Sequence, residues 1–182
     1  MQTVQPIQTE NASVEVKRLL EAVGAEYGLI PNMMKAMAQS PSALEGYLRL
    51  SSALSGGALD PKFREKIALV VAQANGCEYS LAAHTAAAGK LGLIGGEILA
   101  SREAWSPDPK TSVGLKFARD IVISSGDAPA EDLRQLRQAG YSDGEIVEII
   151  ANVALNIYAN YFNIVAKTEL DFPKVALDLK AA

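Results

Sequence analysis

Residues 60–90 read DPKFREKIALVVAQANGCEYSLAAHTAAAGK, and this stretch decides the fold class. Its apolar residues recur at intervals of three and four, which is the period of an α-helix. Asp60 before Pro61 is typical of a helix start, and Asn75-Gly76 interrupts the helical pattern in the middle. The stretch therefore predicts two helices, 61–74 and 77–90, folded back on each other as a helical hairpin.

The helical period continues through the rest of the chain, so we expect an all-α protein. Several expected helix starts combine a capping side chain with a nearby proline or form a capping box, namely Ser40 with Pro41, Asp108 with Pro109, Asp127 before Pro129, and Ser142 with Glu145. The other expected helices are 13–26, 32–38, 41–55, 95–102, 109–124, 129–139 and 143–166.

Length and composition are those of an ordinary globular domain. The 182 residues are 49 % hydrophobic and 21 % charged, so we expect one domain over 1–182, with residues 1–10 as an extended N-terminal arm. A net charge of −4 without a basic block argues against nucleic acid as a partner. The first residues do not resemble a secretory signal, and Glu148 and several Asn interrupt the apolar stretch 146–165. We therefore expect a cytoplasmic protein without a transmembrane helix.

The chain contains one Cys and one His, which limits its chemistry. One cysteine cannot form an intramolecular disulfide, and one thiol with one imidazole cannot supply a zinc site that needs several such ligands. Gly92, Gly95 and Gly96 follow a predicted helix instead of a strand, so they do not indicate a dinucleotide site. No metal or nucleotide cofactor is expected.

The last predicted helix carries a narrow polar stripe on an otherwise apolar surface. The stripe consists of Glu145, Glu148, Asn152, Asn156, Asn160, Asn163 and Lys167. A helix that is apolar on most sides is normally covered on most sides, so this helix is either central or in contact with another subunit. We interpret the stripe as an ordinary solvated or core-edge face, with the lining of a site or an interface as the alternative.

The only Cys and the only His lie on the second helix of the hairpin. At about 100° per residue, Cys77, Ser80 and His84 fall within an arc of about 60°. Cys77 is expected in the first helical turn, where unpaired N–H groups favour a thiolate. Folding about Asn75-Gly76 sets Glu65 level with His84, which predicts a carboxylate that orients an imidazole. Each of these residues also has an ordinary structural interpretation.

The pattern of Glu65, Cys77, residue 80 and His84 resembles the E-x11-C-x-x-C-x-x-x-H signature of the AhpD-like family, alkylhydroperoxidases grouped with carboxymuconolactone decarboxylases. Two further segments resemble the peroxidase-related branch, namely Gly28-Leu29-Ile30-Pro31-Asn32-Met33-Met34 with Ser40-Pro41, and Glu169-Leu170-Asp171-Phe172-Pro173. The resemblance implies an all-helical fold around an antiparallel helix pair and a homo-oligomer, commonly a trimer or hexamer.

The resemblance also implies an antioxidant function. In the family, the second cysteine of the pair attacks a hydroperoxide, and the His and Glu relay its proton. Cys77 corresponds to the resolving cysteine, His84 and Glu65 correspond to the relay, and Tyr79 occupies a position where some members place another proton-handling residue. Reducing equivalents are then expected from an external thiol, either a reductant protein or a small molecule.

Ser80 departs from the family pattern. A serine hydroxyl is a poor nucleophile toward peroxide oxygen, so this chain is expected to be a weak or inactive peroxidase. The serine either marks a branch that has changed the dithiol cycle or replaces a natural cysteine to block turnover.

Two other functions remain open at this stage. A lyase or isomerase similar to the carboxymuconolactone decarboxylases would use His84 and Glu65 to move protons on a small carboxylated substrate. A non-catalytic oligomeric protein, either redox-responsive or a binding partner, would need neither residue for catalysis.

Overall fold

The computed structural model describes residues 2–179, which form nine α-helices and no strand. The helices are α1 (Val14–Tyr27), α2 (Asn32–Met37), α3 (Pro41–Ser55), α4 (Pro61–Ala74), α5 (Glu78–Lys90), α6 (Gly95–Arg102), α7 (Pro109–Ile123), α8 (Ala130–Gln138) and α9 (Asp143–Ala166). The all-α prediction is confirmed, and each helix begins and ends within one residue of its expected bounds.

Most helix starts follow the predicted capping chemistry. The side chain of Asp60 accepts hydrogen bonds from the backbone N–H groups at the start of α4, and Ser142 and Glu145 form the expected capping box of α9. Two expectations are wrong. Asp127 does not cap α8, whose N-cap is Pro129, and Cys77 is the N-cap of α5 instead of a first-turn residue.

Helix α4 is the centre of the molecule and packs against α5, α6, α7 and α9. Its apolar residues point in several directions, and Ile67, Leu69 and Val71 are all fully buried. A helix that is apolar on most sides can be covered in this way only if other helices surround it. The predicted hairpin of α4 and α5 is therefore the framework on which the other helices pack.

Helix α9 faces the interior with its polar side and the exterior with an apolar side. Asn152, Asn156, Asn160 and Asn163 are buried, so the interpretation of the Asn stripe as a solvated face is wrong. On the opposite side, an exposed α9 stripe consists of Val147, Ile150, Ala154, Tyr158, Tyr161 and Val165. Val147 and Val165 are 64 % and 72 % exposed. Helix α9 therefore buries its Asn residues together with apolar residues such as Ile149 and Val153, and leaves a second apolar surface uncovered in one chain.

Among the described residues, α9 is the one helix with the length and apolar composition of a membrane span. Half of its most apolar window is buried inside the fold, and α9 packs against α3, α4, α5 and α7. These contacts are those of a core helix in a helical domain.

The two ends of the chain lie against the helical body. Residues 2–8 form no regular structure, and a short 3-10 turn follows at Thr9–Asn11. The backbone N–H of Thr3 donates to the carbonyl of Ala166 over 2.8 Å. At the other end, the guanidinium of Arg102 donates to the backbone carbonyl of Ala176. Residue 1 and residues 180–182 of the expected single domain lie outside the described part of the chain.

Candidate active site

A cavity of about 460 Å³ lies between α5, α9 and the segment from α1 to α4. Its volume falls in the range of small-molecule sites. Four of the five predicted site residues line it, namely Glu65, Tyr79, Ser80 and His84. Apolar walls come from residues such as Met34, Ala68, Ala83, Leu155 and Phe172.

Glu65 on α4 and His84 on α5 meet across the hairpin. His84 Nδ1 lies 2.8 Å from Glu65 Oε2, and both side chains are about one-quarter exposed. The prediction that folding about Asn75-Gly76 brings Glu65 level with His84 across the hairpin is therefore confirmed. The carboxylate accepts the hydrogen of Nδ1, which leaves the lone pair of Nε2 available to a molecule in the cavity. No group in residues 2–179 forms a hydrogen bond to Nε2.

Cys77 and Ser80 lie at the inner end of α5. The thiol of Cys77 donates a hydrogen bond to Ser80 Oγ over 3.3 Å. Cys77 is 1 % exposed, does not line the cavity and packs with Met33, Met37 and Ala159. Ser80 lines the cavity instead. The thiol is therefore linked to the cavity only through its hydrogen bond with Ser80.

Tyr79 is turned toward the C-terminal segment. Its hydroxyl donates to Asp171 Oδ2 over 2.6 Å and accepts from the backbone N–H of Met33. The ring packs edge-on against Phe172. Burial, followed by the hydrogen bond to Asp171, raises the pKa of Tyr79 far above its ordinary value, so its hydroxyl stays protonated. No hydrogen bond joins Tyr79 to Glu65 or His84.

The two outer segments of the family resemblance meet in space. Asp171 Oδ2 accepts the backbone N–H of Asn32 over 2.8 Å, and the Asn32 side chain donates to the carbonyl of Glu169. Pro31, Met33 and Phe172 from these segments all line the cavity. Their sequence similarity therefore corresponds to one wall of the site.

The sequence analysis considered the Asn residues of α9 as a site lining only as its alternative interpretation, and it did not identify Arg64 and Lys90. Asn152 and Asn156 line the cavity from α9, and the amide of Asn163 donates to Ser80 Oγ over 3.3 Å. Arg64 and Lys90 also line the cavity. The regular Asn spacing was a usable signal for the first three, but periodicity alone does not show whether a polar stripe faces water or the interior.

The remaining hydroxyls near the dyad are neutral. Tyr27 and Tyr47 line the cavity, and burial is the largest cause that raises the pKa of each. Among residues 2–179, no group of three or more His, Cys, Asp or Glu side chains is placed to hold a metal ion. The arrangement can bind a small, mainly apolar molecule and transfer a proton through His84.

Comparison with known proteins agrees with this architecture. Residues 41–120, which include Glu65, Cys77, Ser80 and His84, match the model of the carboxymuconolactone decarboxylase family. No curated protein sequence matches the chain.

Three solved structures share the fold. The alkylhydroperoxidase AhpD core of an uncharacterised peroxidase-related protein from Ralstonia eutropha JMP134 is 20 % identical, with a TM-score of 0.82 and coverage of 93 % of this chain and 92 % of that chain. An uncharacterised peroxidase-related protein from Silicibacter sp. TM1040 is 23 % identical, with a TM-score of 0.72 and coverage of 95 % and 93 %. The debrominase Bmp8 is 20 % identical, with a TM-score of 0.79 and coverage of 92 % and 91 %.

These similarities place the site residues in a known structural context without transferring an activity. Residues 41–120 are similar to the carboxymuconolactone decarboxylase family, and the fold of the chain is AhpD-like.

Proposed function

We propose that this protein is an enzyme that transfers protons on a small carbonyl-containing substrate, in the manner of a lyase or isomerase. The observation that carries the proposal is the 2.8 Å contact between His84 Nδ1 and Glu65 Oε2 on the wall of the cavity. His84 Nε2 accepts a proton from a carbon next to the carbonyl and returns it to a neighbouring atom. Glu65 remains ionised and stabilises the imidazolium that forms between the two steps.

The contents of the cavity support this choice over thiol chemistry. The one cysteine lies outside the cavity lining, whereas the dyad lies within it. Arg64 and Lys90 supply positive charge for a carboxylate on the substrate, and the walls are apolar.

A cysteine-to-alanine variant of the debrominase Bmp8 has been solved with 2,3,4-tribromopyrrole, a small ring compound. That complex supports a ligand of similar size here.

The test is proton exchange into heavy water, followed by NMR, on a panel of small lactone acids and keto acids. We expect exchange or turnover of at least one compound, and a loss of at least about 100-fold in His84→Gln because a general base is removed. Glu65→Gln should also lose activity, because a neutral amide neither stabilises the imidazolium nor holds Nδ1–H in place as a carboxylate does. Glu15→Gln, an exposed carboxylate on α1, is the matched control. Turnover that is equal in His84→Gln and the wild type would contradict the proposal.

A second candidate is thiol-dependent hydroperoxide reduction, which the contact between Cys77 Sγ and Ser80 Oγ favours. With a cysteine at position 80, its thiolate attacks the peroxide, the O–O bond breaks, and the alkoxide takes a proton by way of His84. Cys77 then displaces water from the sulfenic acid to form a disulfide, which an external dithiol reduces. In the chain as it stands, Ser80 prevents this cycle.

Ser80→Cys tests the second candidate directly. With dithiothreitol present, we expect this variant to consume hydrogen peroxide or cumene hydroperoxide, and without reductant its intact mass should fall by two hydrogens. Ser80→Ala is the control and should show neither effect. The wild type should reach a sulfenic acid at Cys77 slowly, without an intrachain disulfide. Consumption by Ser80→Cys at the background rate would exclude the peroxidase candidate.

The proposal includes self-association. The exposed α9 stripe is apolar over the whole length of a 24-residue helix, and such a surface is typical of an interface between subunits. We propose that a second copy of this chain covers it.

A further inference from the structure

Ser80 stands at the position where the family signature has its second cysteine. It is 3 % exposed, lies at the inner end of the cavity, and precedes His84 by one helical turn on the same face of α5. The exposure of α5 increases from Ser80 through His84 to Lys90 at the mouth. A molecule bound against this face therefore contacts Ser80 and His84 together.

Two hydrogen-bond donors already point at the oxygen of Ser80. One is the thiol of Cys77 at 3.3 Å, and the other is Asn163 Nδ2, also at 3.3 Å. The same amide nitrogen lies 3.1 Å from Met33 Sδ. Because a thioether can only accept, the NH₂ group of Asn163 is the end that belongs at this position.

The hydroxyl therefore has a hydrogen and no acceptor for it. A serine oxygen offers two acceptor positions and one donor hydrogen, and Cys77 and Asn163 use the two acceptor positions. With Cys77 and Asn163 as donors, residues 2–179 form no further hydrogen bond to the Ser80 hydroxyl. The open side of the residue is the cavity. A ligand oxygen on that side can therefore accept the hydrogen of the Ser80 hydroxyl while Cys77 and Asn163 keep their contacts with its oxygen.

We infer that the Ser80 hydroxyl donates a hydrogen bond to a carbonyl or carboxylate oxygen of the molecule in the cavity. The inference deepens the proposed function, since it places the substrate oxygen at Ser80 and the neighbouring carbon near His84 Nε2. Ser80 and His84 suit this arrangement because both line the cavity from the same face of α5, one helical turn apart. A serine here thus offers a neutral hydrogen-bond donor where the family signature has a thiol nucleophile.

The opposite wall has complementary chemistry. The amide nitrogens of Asn152 and Asn156 donate to the backbone carbonyls one turn earlier on α9. Their carbonyl oxygens receive no hydrogen bond from the described part of the chain, and both residues line the cavity. The α9 wall therefore offers acceptors, and the Ser80 end of α5 offers a donor. This polarity fits a ligand with its carbonyl at the α5 end.

The experiment compares two probes of equal shape, acetophenone and α-methylstyrene, which differ by a carbonyl in place of a C=CH₂ group. Affinities are measured from chemical-shift changes in ¹⁵N-labelled protein. We expect the wild type to bind acetophenone about five- to tenfold more tightly, the value of one hydrogen bond. In Ser80→Ala the ratio should fall to about one, with the affinity for α-methylstyrene retained. Ser101→Ala, a buried serine on α6 outside the cavity lining, should keep the wild-type ratio.

A vibrational measurement on the wild type makes the test independent of whether Ser80→Ala folds. The carbonyl stretch of bound ¹³C-labelled acetophenone should lie at lower frequency than in an apolar solvent. A wild-type ratio near one, an unchanged ratio in Ser80→Ala, or an unshifted stretch overturns the inference. Neither readout needs turnover. The inference about Ser80 can therefore be supported even if the protein has no proton-transfer activity. If turnover depends on His84 but the wild type does not prefer acetophenone to α-methylstyrene, the proposed function stands and the inference about Ser80 fails.

Discussion

Tyr79 differs in its contacts from Ser80 and His84, although all three residues lie on α5. His84 and Ser80 lie on the cavity side of α5, whereas the Tyr79 hydroxyl is held between Asp171 and the backbone of Met33. Its bond to Asp171 ties the C-terminal segment to α2 and α5. The contacts of Tyr79 are therefore those of an anchor for the cavity wall, although the family resemblance predicts a proton-handling residue.

Tyr79→Phe separates these two roles. The variant removes the hydrogen bond to the Asp171 carboxylate and the one from the Met33 backbone N–H, so the free energy of unfolding should fall by about 1–3 kcal/mol in denaturant titrations. Asp171→Asn should lower it by a similar amount, and the double variant should show non-additivity because the two residues share the bond. Proton exchange on the substrate panel should change by less than tenfold in Tyr79→Phe. A loss as large as that of His84→Gln would assign Tyr79 to the proton-transfer machinery.

At the scale of the element, α7 approaches the rest of the core through a glycine. A Cβ on Gly114 would lie 2.4 Å from Tyr141 Oη and 2.6 Å from Phe63 Cζ. Neither neighbour can easily move, because the two rings stack with centroids 5.8 Å apart and the Tyr141 hydroxyl donates to the Lys110 carbonyl. This position therefore requires a glycine despite its low helix propensity.

Gly114→Ala should lower the free energy of unfolding by about 1–3 kcal/mol, the usual cost of overpacking a core. Gly46→Ala in α3 is the matched control, since a Cβ there meets no atom within 4 Å. The control should be neutral or stabilising by up to about 1 kcal/mol. Equal effects of the two substitutions in urea titrations would show that α7 does not pack as closely as described.

The start of α9 predicts a dependence of stability on pH. The pKa of Glu145 is lowered from its ordinary value of 4.5, chiefly by the hydrogen bond from the Ser142 backbone N–H. A lowered pKa in the folded state stabilises the protein above pH 4.5, and this stabilisation is lost as the pH falls through the folded-state pKa. The stability difference between wild type and Glu145→Gln should therefore shrink as the pH falls from 6 to 3. A difference that increases toward low pH would contradict the assignment.

At the scale of the whole molecule, the orientation of α9 explains two features together. Its Asn side supplies the polar lining and support of the cavity, while its apolar side is left for another surface. Tyr158 packs against Tyr47 with ring centroids 6.2 Å apart, so part of the stripe borders the cavity wall. Self-association through the exposed α9 stripe would place the interface close to the site.

Val165→Lys tests this assembly. A charge on the exposed α9 stripe should shift the sedimentation coefficient toward that of a 19.3 kDa monomer, with helical content unchanged. Val14→Lys, on the exposed start of α1, is the control and should leave the assembly intact. A wild-type chain that sediments as a monomer at micromolar concentration would refute self-association through this surface.

The sequence by itself determined the helices and the dyad. Helix ends depend on local chemistry such as Asp60 before Pro61. The numbers of residues that separate Glu65 and His84 from the turn at Asn75-Gly76 place the two side chains opposite each other on the hairpin. Only the tertiary structure decided which side of α9 faces inward, that Cys77 is excluded from the cavity, and that Tyr79 bonds to Asp171. The physical reason is that helical periodicity reports which residues share a face, whereas the surroundings of that face depend on partners more than 80 residues away along the chain.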